Sequence, residues 1–266
     1  MTLYPHFLTA RNELEGLRAL LECILTSGKR NGVYLEVVGC LLSMDFCQNR
    51  WNKFCDLREA YLEAGGDISR LGWDRATRVY TNRTDRPTKP SYLKRLVAYP
   101  DKPRNWKKPM EGLDQVEKIG AELARKPGFS NLSFVILRPA DLHDQFRPGY
   151  VPCAIAGDFK FRKGRLDLNI MFRTSDALAV GYADIYYMRN LQLDVLTLAK
   201  TKTKNAGLKK GQLGVLNMYL CRTYIQQTWM SKSGVRMDGL RATHAVVKLL
   251  KATETAGKCA VRGGNL

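Results

Sequence analysis

The stretch "YVPCAIAGDFKFRKGRLDLNIMFRTSDALAVGYADI" (150–185) holds the features that decide how this chain folds. Two strand-like runs, "FKF" and "RLDLNIMF", flank "RKG" at 162–164, and the glycine at the third loop position indicates a β-hairpin. A three-residue loop would pair Phe161 with Arg165. We therefore predict an antiparallel hairpin whose register is set by this loop.

Continuing that register pairs Cys153 with Arg173. Directly opposed side chains lie on the same face of a sheet, with Cβ atoms about 5 Å apart. A neighbouring guanidinium favours the thiolate form of a cysteine and offers a bidentate ligand for an anion. A two-residue loop or a β-bulge would shift the pairing by one residue and separate the two side chains. The ordinary alternatives are a buried small hydrophobe at Cys153 and a surface ion pair at Arg173.

Two carboxylates, Asp176 and Asp184, follow the arginine closely. Their ordinary roles would be a helix cap and an exposed turn residue, respectively. The alternative is that both carboxylates, together with Cys153 and Arg173, form one site for an anionic substrate.

The composition limits the class of protein. The chain has 266 residues, of which 45% are hydrophobic, so it can form one substantial domain with a real core. It has no apolar run long enough for a transmembrane helix and no signal peptide pattern at its start. Seven cysteines, an odd number without C-x-x-C pairs, favour reduced thiols and a cytoplasmic location. Three histidines without metal-ligand spacing argue against a metal site.

The net charge of +18 points to an anionic partner, such as a nucleotide, a nucleic acid or a polyanionic cofactor. The densest basic stretch is "KTKTKNAGLKKG" (200–211). This stretch is either a solvated loop, which we favour, or a strip that binds a polymer.

Hydrophobic periodicity predicts an α+β fold with one large mixed or antiparallel sheet and several helices. No repeat or linker divides the chain, so we predict a single domain over 1–266 with a mobile tail from about 253 to 266. The predicted helices cover residues 9–27, 51–64, 111–125, 181–201 and 235–252. The predicted strands outside the hairpin cover 33–46 and 132–137, and residues 80–109 are predicted to be irregular.

The order of these motifs resembles the thymidylate synthase superfamily. Pro152-Cys153 precedes the hairpin, Arg173-Thr174-Ser175-Asp176 follows it, and Asp184-Ile185 enters a long helix. Further upstream, "EAYLEAGGD" (59–67), "YLEVVG" (34–39) after Arg30 and "RPADL" (138–142) are similar to other family segments, so the resemblance covers most of 10–220. It implies a thymidylate synthase-like fold whose large sheet is flanked by helices and provides a homodimer interface.

The resemblance also implies roles for individual residues. Cys153 would be the nucleophile that adds to C6 of a pyrimidine nucleotide, and Glu59 would organise water and proton transfer. Arg173, Arg30 and Ser175 would bind the substrate. Asp176 would contact the cofactor, 5,10-methylenetetrahydrofolate.

Position 184 distinguishes between substrates. Thymidylate synthases have an asparagine there, whose amide both donates to and accepts from uracil. Asp184 as a carboxylate only accepts, which suits the 4-amino group of cytosine and disfavours O4 of uracil. Since deoxycytidylate and cytidylate hydroxymethylases show the same exchange, the resemblance implies 5-hydroxymethylation of a cytosine nucleotide of the CMP or dCMP type.

Other positions depart from the family. The paired arginines that bind phosphate would fall near Ser130-Asn131, where only Lys126 is close in sequence, and the sugar-binding His and Tyr are replaced by Gly214 and Leu216. Ala154 replaces the histidine that follows the Pro-Cys pair. Two alternatives therefore stay open. One is a C5-methylating enzyme, and the other is a catalytically lapsed member that binds nucleic acid, a partner that the charge allows but that we do not favour.

Overall fold

The computed structural model describes residues 5–46, 91–98, 112–138, 141, 151–230 and 236–262. Within them, the strands are β1 (His6–Ala10), β2 (Lys29–Asn31), β3 (Tyr34–Asp45), β4 (Ser133–Val135), β5 (Ala154–Arg162), β6 (Arg165–Phe172), β7 (Ser175–Asp176), β8 (Gln212–Gln226), β9 (Thr228–Met230) and β10 (Arg236–Asp238). The helices are α1 (Glu13–Ser27), α2 (Tyr92–Val97), α3 (Gln115–Arg125), α4 (Gly181–Lys202), α5 (Ala206–Lys209) and α6 (Gly239–Arg262).

Eight of these strands form one open mixed sheet in the order β1-β3-β8-β6-β5-β4, with β2 paired to β3 and β7 paired to β8. The pairs β1–β3 and β7–β8 are parallel, whereas β2–β3, β4–β5 and β5–β6 are antiparallel. Strands β9 and β10 form a separate antiparallel pair. The predicted combination of helices with one large mixed sheet is confirmed.

The chain divides into two compact units. The first comprises Met1–Trp73, Ser175–Tyr186 and Leu220–Leu266, and the second comprises Asp74–Thr174 and Tyr187–Tyr219. Strand β8 and helix α4 each contribute residues to both units. The single domain over 1–266 stays a prediction.

Most predicted elements are present with shifted ends. The prediction of a helix over 9–27 is wrong at its start, because 6–10 form strand β1 and the helix begins at Glu13. Asn12 caps it by accepting a hydrogen bond from the Glu15 N–H at 2.8 Å, which is typical of an N-cap asparagine. Helix α6 continues to Arg262, ten residues beyond the predicted end. The predicted helix over 51–64 lies outside the described residues.

Strand β3 changes phase at Gly39, which explains why its sequence does not alternate cleanly. Val37 is buried, and the next buried positions are Cys40, Leu42 and Met44, so one residue is inserted into the alternation. Gly39 has φ +71°, a conformation that glycine adopts readily.

A buried ionic cluster in the second unit connects α2 to the segment after β4. The Arg95 guanidinium donates to both Asp141 carboxylate oxygens and to the Ile136 carbonyl, and the side chain and backbone N–H of Arg138 donate to the same carboxylate. Arg95 and Asp141 are 1% and 2% exposed. Burial alone would raise the pKa of Asp141, but the hydrogen bonds from Arg95 and Arg138 outweigh it and lower the pKa below its ordinary value.

We expect Asp141→Asn to lower the free energy of unfolding by about 3–5 kcal/mol, because two buried guanidiniums lose their counter-charge. Urea denaturation measures this loss. The matched control is Glu117→Gln, which breaks the exposed ion pair with Lys202 and should cost at most about 1 kcal/mol. The pKa of Asp141 is lower in the folded than in the unfolded protein. Its contribution to the free energy of unfolding is therefore complete above the unfolded pKa of about 3.9, and it disappears as the pH falls through the folded pKa. Equal effects of the two variants would contradict this account.

Candidate functional site

The turn of the β5–β6 hairpin has two residues, so the predicted three-residue loop is wrong. Arg162 pairs with Arg165, and Lys163 and Gly164 have φ values of 50° and 76°. Two successive positive φ values define a type I′ turn, whose twist matches that of antiparallel strands. The register near the turn is therefore one residue away from the predicted one, and Phe161 pairs with Leu166.

A β-bulge restores the predicted pairing at the other end of the hairpin. Ala156 pairs with Met171, but Ala154 pairs with Phe172, so the register shifts by one residue between them. The Arg173 N–H then donates to the Cys153 carbonyl at 2.8 Å. Cys153 thus lies opposite Arg173, as the sequence predicts, because the two-residue turn and the bulge, each of which alone would separate the two residues, cancel.

Tyr92 holds the backbone at Cys153. Its phenolic oxygen accepts hydrogen bonds from the N–H groups of Cys153 at 2.7 Å and Ala154 at 3.2 Å. Tyr92 is buried and begins helix α2, within the stretch that the sequence predicts to be irregular. Nothing in the local sequence signals this contact, because the two partners are 61 residues apart.

The Arg173 side chain is oriented by the backbone that leads to Cys153. Its Nε donates to the Pro152 carbonyl at 3.2 Å, and its Nη2 donates to the Val151 carbonyl at 3.1 Å. The side chain is exposed and Cys153 is half-buried. A guanidinium has five N–H donors, so this arrangement leaves donors to bind an anion next to the cysteine.

Ser175 and Asp184 form a buried pair in the first unit. Asp184 lies in the first turn of α4, where the helix dipole favours a carboxylate. The Ser175 hydroxyl donates to Asp184 Oδ2 at 2.9 Å, and the two residues are 1% and 3% exposed. The alternative of an exposed turn residue at Asp184 is therefore wrong.

Asp176 has a capping role. Its Oδ1 accepts a hydrogen bond from the Ala179 N–H at 3.1 Å, within the turn that leads from β7 into α4. Asp176 is half-buried, so its carboxylate is fixed while part of it faces solvent.

The other predicted site residues are distributed differently. Arg30 is exposed on β2, opposite Leu35 in the β2–β3 hairpin of the first unit. Glu59 lies outside the described residues. The structure therefore brings Cys153 together with Arg173, and separately Ser175 with Asp176 and Asp184.

The positions that depart from the family have structural reasons for their residues. A Cβ on Gly214 would lie 2.0 Å from Asp167 Oδ1, which accepts a hydrogen bond from the Val215 N–H. Leu216 is fully buried in the core. Neither position can present a sugar-binding side chain to a ligand. At Ser130, where the family arginines would fall, the carbonyl accepts a hydrogen bond from the Lys160 ammonium.

Comparison with family models and with curated proteins finds no match to this chain. In the described part of the chain, no group of three or more His, Cys, Asp or Glu side chains is arranged to hold a metal ion. None of the helices described is both long and apolar enough to cross a membrane.

Proposed function

We propose that this protein is a thymidylate synthase-like enzyme that hydroxymethylates C5 of a cytosine nucleotide of the CMP or dCMP type. The observation that carries the proposal is the local arrangement at Cys153. Half-buried Cys153 lies directly before β5, its backbone is fixed by Tyr92 and paired with Arg173, and the Arg173 side chain is held by the carbonyl of Pro152. A positioned nucleophile next to an anion ligand is what addition to a nucleotide requires.

In the proposed reaction, the Cys153 thiolate bonds to C6 of the pyrimidine, and the electron pair of the C5–C6 double bond moves to C5. Bound 5,10-methylenetetrahydrofolate would supply the one-carbon unit, with Asp176 holding its pterin. After C5 has gained this unit and lost its proton, the bond from that carbon to the folate nitrogen would break, tetrahydrofolate would leave, and water would add to the exocyclic carbon. The C6–S bond then breaks and returns the thiolate. Glu59 would organise the water and the proton transfers.

Arg173, Arg30 and Ser175 are the proposed substrate ligands, and Asp184 is the proposed reader of the base. The Ser175 hydroxyl occupies one oxygen of the Asp184 carboxylate and fixes its orientation. In the proposed complex this carboxylate would accept from the cytosine 4-amino group, since a carboxylate cannot donate to O4 of uracil. A site built around such a bond discriminates strongly against a base that cannot form it.

We also propose a homodimer that forms through the large sheet. In the second unit, Val135, Ala156 and Met171 are directly opposed on three adjacent strands, and Tyr219 lines the same shallow concavity. Val135, Met171 and Tyr219 are each more than 40% exposed, which is unusual for three neighbouring large apolar side chains. A monomeric mass in sedimentation equilibrium would contradict the dimer.

A cytoplasmic location belongs to the same proposal. It is supported by the thiols, because Cys23, Cys40, Cys153 and Cys221 form no disulfide. Recovery of the protein in a secreted or membrane fraction would contradict it.

Release of deuterium from C5 tests the proposed chemistry. The protein is incubated with methylenetetrahydrofolate and with [5-²H]-labelled CMP, dCMP, cytidine or dUMP. We expect deuterium loss from a cytosine nucleotide, together with a product whose mass increases by a hydroxymethyl group. A methyl product would support the C5-methylating alternative instead. Absence of deuterium loss from all four compounds would contradict an enzyme that acts on small nucleotides.

A further inference from the structure

Two basic segments that are remote in sequence meet at the turn of the β5–β6 hairpin. The Gln212 N–H donates to the Gly164 carbonyl at 2.9 Å, and the Arg165 Nε donates to the Leu213 carbonyl at 3.4 Å. Gly211 packs so closely on the Phe161 ring that an added Cβ would lie 3.0 Å from it. These contacts hold the C-terminal end of the segment 200–214 against the segment 159–166, and both segments belong to the second unit.

Together the two segments contain nine cations and no carboxylate; we call this surface the basic tip. Its members are Lys160, Arg162, Lys163, Arg165, Lys200, Lys202, Lys204, Lys209 and Lys210. Lys160 pairs with Asp158, and Lys202 pairs with Glu117. Arg162, Lys163, Lys209 and Lys210 are exposed and have no carboxylate partner within the described part of the chain.

Part of the basic tip is helical, so the expectation of a loop over 200–211 is wrong at 200–202 and 206–209, while the solvent exposure that it implied is observed at Lys202, Lys204, Lys209 and Lys210. Residues 200–202 end α4, and Ala206–Lys209 form α5. The Asn205 side chain caps α5 by accepting from the Leu208 N–H at 2.9 Å, and Leu208 is fully buried. Lys163 lies in the rigid type I′ turn. The fold therefore brings together the segments that carry Arg162, Lys163, Lys209 and Lys210, and no carboxylate among the described residues pairs with these four cations.

We propose that the basic tip binds the phosphate backbone of a nucleic acid. An external polyanion supplies the negative charge that this surface lacks, and phosphate oxygens are the usual ligands of exposed Lys and Arg. Nucleic acid fits better than an anionic membrane, because membrane-surface sites combine cations with exposed apolar side chains. In the described residues of the second unit, the exposed large hydrophobics lie elsewhere, at Leu93, Leu113, Val135, Met171 and Tyr219. Binding at the tip does not depend on the chemistry proposed for Cys153.

The test compares two variants of equal net charge. The tip variant combines Arg162→Gln, Lys163→Asn, Lys209→Gln and Lys210→Gln, with asparagine at 163 because it tolerates the positive φ of that turn position. The control variant removes four exposed cations elsewhere, by substitution to glutamine at Lys94, Lys118, Arg241 and Lys248. Each variant lowers the net charge from +18 to +14, since 18 minus 4 is 14.

Fluorescence anisotropy with labelled single-stranded and duplex oligonucleotides of mixed sequence, measured at several salt concentrations, gives the affinity and its salt slope. We expect the tip variant to bind at least about tenfold more weakly, with a slope on duplex DNA reduced by about 0.9 for each phosphate that the variant no longer neutralises. The control variant should retain most of the affinity. Circular dichroism and thermal unfolding verify that both variants fold.

Three results would overturn the proposal. The first is absence of binding to either oligonucleotide at low salt by the unaltered protein. The second is an equal loss in the two variants, which would assign binding to net charge alone. The third is tip-dependent binding to vesicles containing phosphatidylserine but not to oligonucleotides, which would assign the surface to a membrane.

Discussion

Cys153→Ala is expected to lower cytosine-nucleotide turnover by roughly 10⁴-fold or more, because the enzyme loses its nucleophile. In the proposed reaction, the covalent bond to C6 is what makes C5 reactive, so no other step can replace it. Deuterium release from the labelled substrate and product formation by mass spectrometry should both disappear. Substrate affinity should fall much less, because Arg173 and Asp184 remain. Isothermal titration with the unreacted nucleotide measures that affinity.

Cys221→Ala is the matched control for this prediction. Cys221 is an exposed cysteine on β8 to which no chemistry is assigned, so its replacement should leave turnover unchanged. If Cys153 were only a small buried hydrophobe, Cys153→Ala would lower the melting temperature slightly and preserve turnover. That result would refute the proposed mechanism, and it would leave nucleic-acid binding at the basic tip as the better-supported activity.

Asp184→Asn is expected to shift the base preference from cytosine towards uracil. The amide can donate to O4 and accept from N3–H of uracil, whereas the carboxylate only accepts. We expect the ratio of kcat/KM for dCMP or CMP over that for the matching uracil nucleotide to fall by at least about 100-fold. Competition between the two labelled nucleotides in one reaction measures this ratio directly.

Two further variants separate base reading from protein stability. Asp158→Asn removes a half-buried carboxylate from β5 in the other unit and should leave the ratio unchanged. Ser175→Ala removes the donor that orients Asp184, so we expect it to lower kcat/KM for the cytosine nucleotide without a gain for uracil. An Asp184→Asn enzyme that retains its cytosine preference would show that another residue reads the base.

The hairpin illustrates what can be predicted from local sequence. Strand-like residues and a glycine at the turn are sufficient to predict two antiparallel strands, whereas Cys153 lies opposite Arg173 only because the shorter turn and the bulge cancel. The turn length was wrong, because "RKG" is compatible with a two-residue or a three-residue loop. A bulge is one of the alternatives that the sequence allows, but its place between Ala154 and Ala156 accompanies contacts outside the hairpin: the Ile155 carbonyl accepts hydrogen bonds from the Ile136 and Leu137 N–H groups of the neighbouring segment.

The structure contains two long-range contacts, one of them at the candidate site, that sequence reasoning could not find. Tyr92 supports the Cys153 backbone across 61 positions, and its surroundings, rich in Pro, Arg and Lys, predicted irregular structure. The Arg95–Asp141 ion pair spans 46 positions and looks in the sequence like two ordinary surface charges. A partner so distant along the chain leaves no local periodicity that could reveal it.

The sequence by itself determined the net charge and the order of the motifs around Cys153. It also determined the local elements, namely the long helices and the strands of the large sheet. These follow from hydrophobic periodicity, capping residues and turn residues, which act over a few positions. Only the tertiary structure decided the hairpin register, the burial of Asp184 against Ser175 and the assembly of the basic tip. Each of these features depends on contacts between segments that are remote in sequence. Such contacts stabilise the structure only when the segments have packed together.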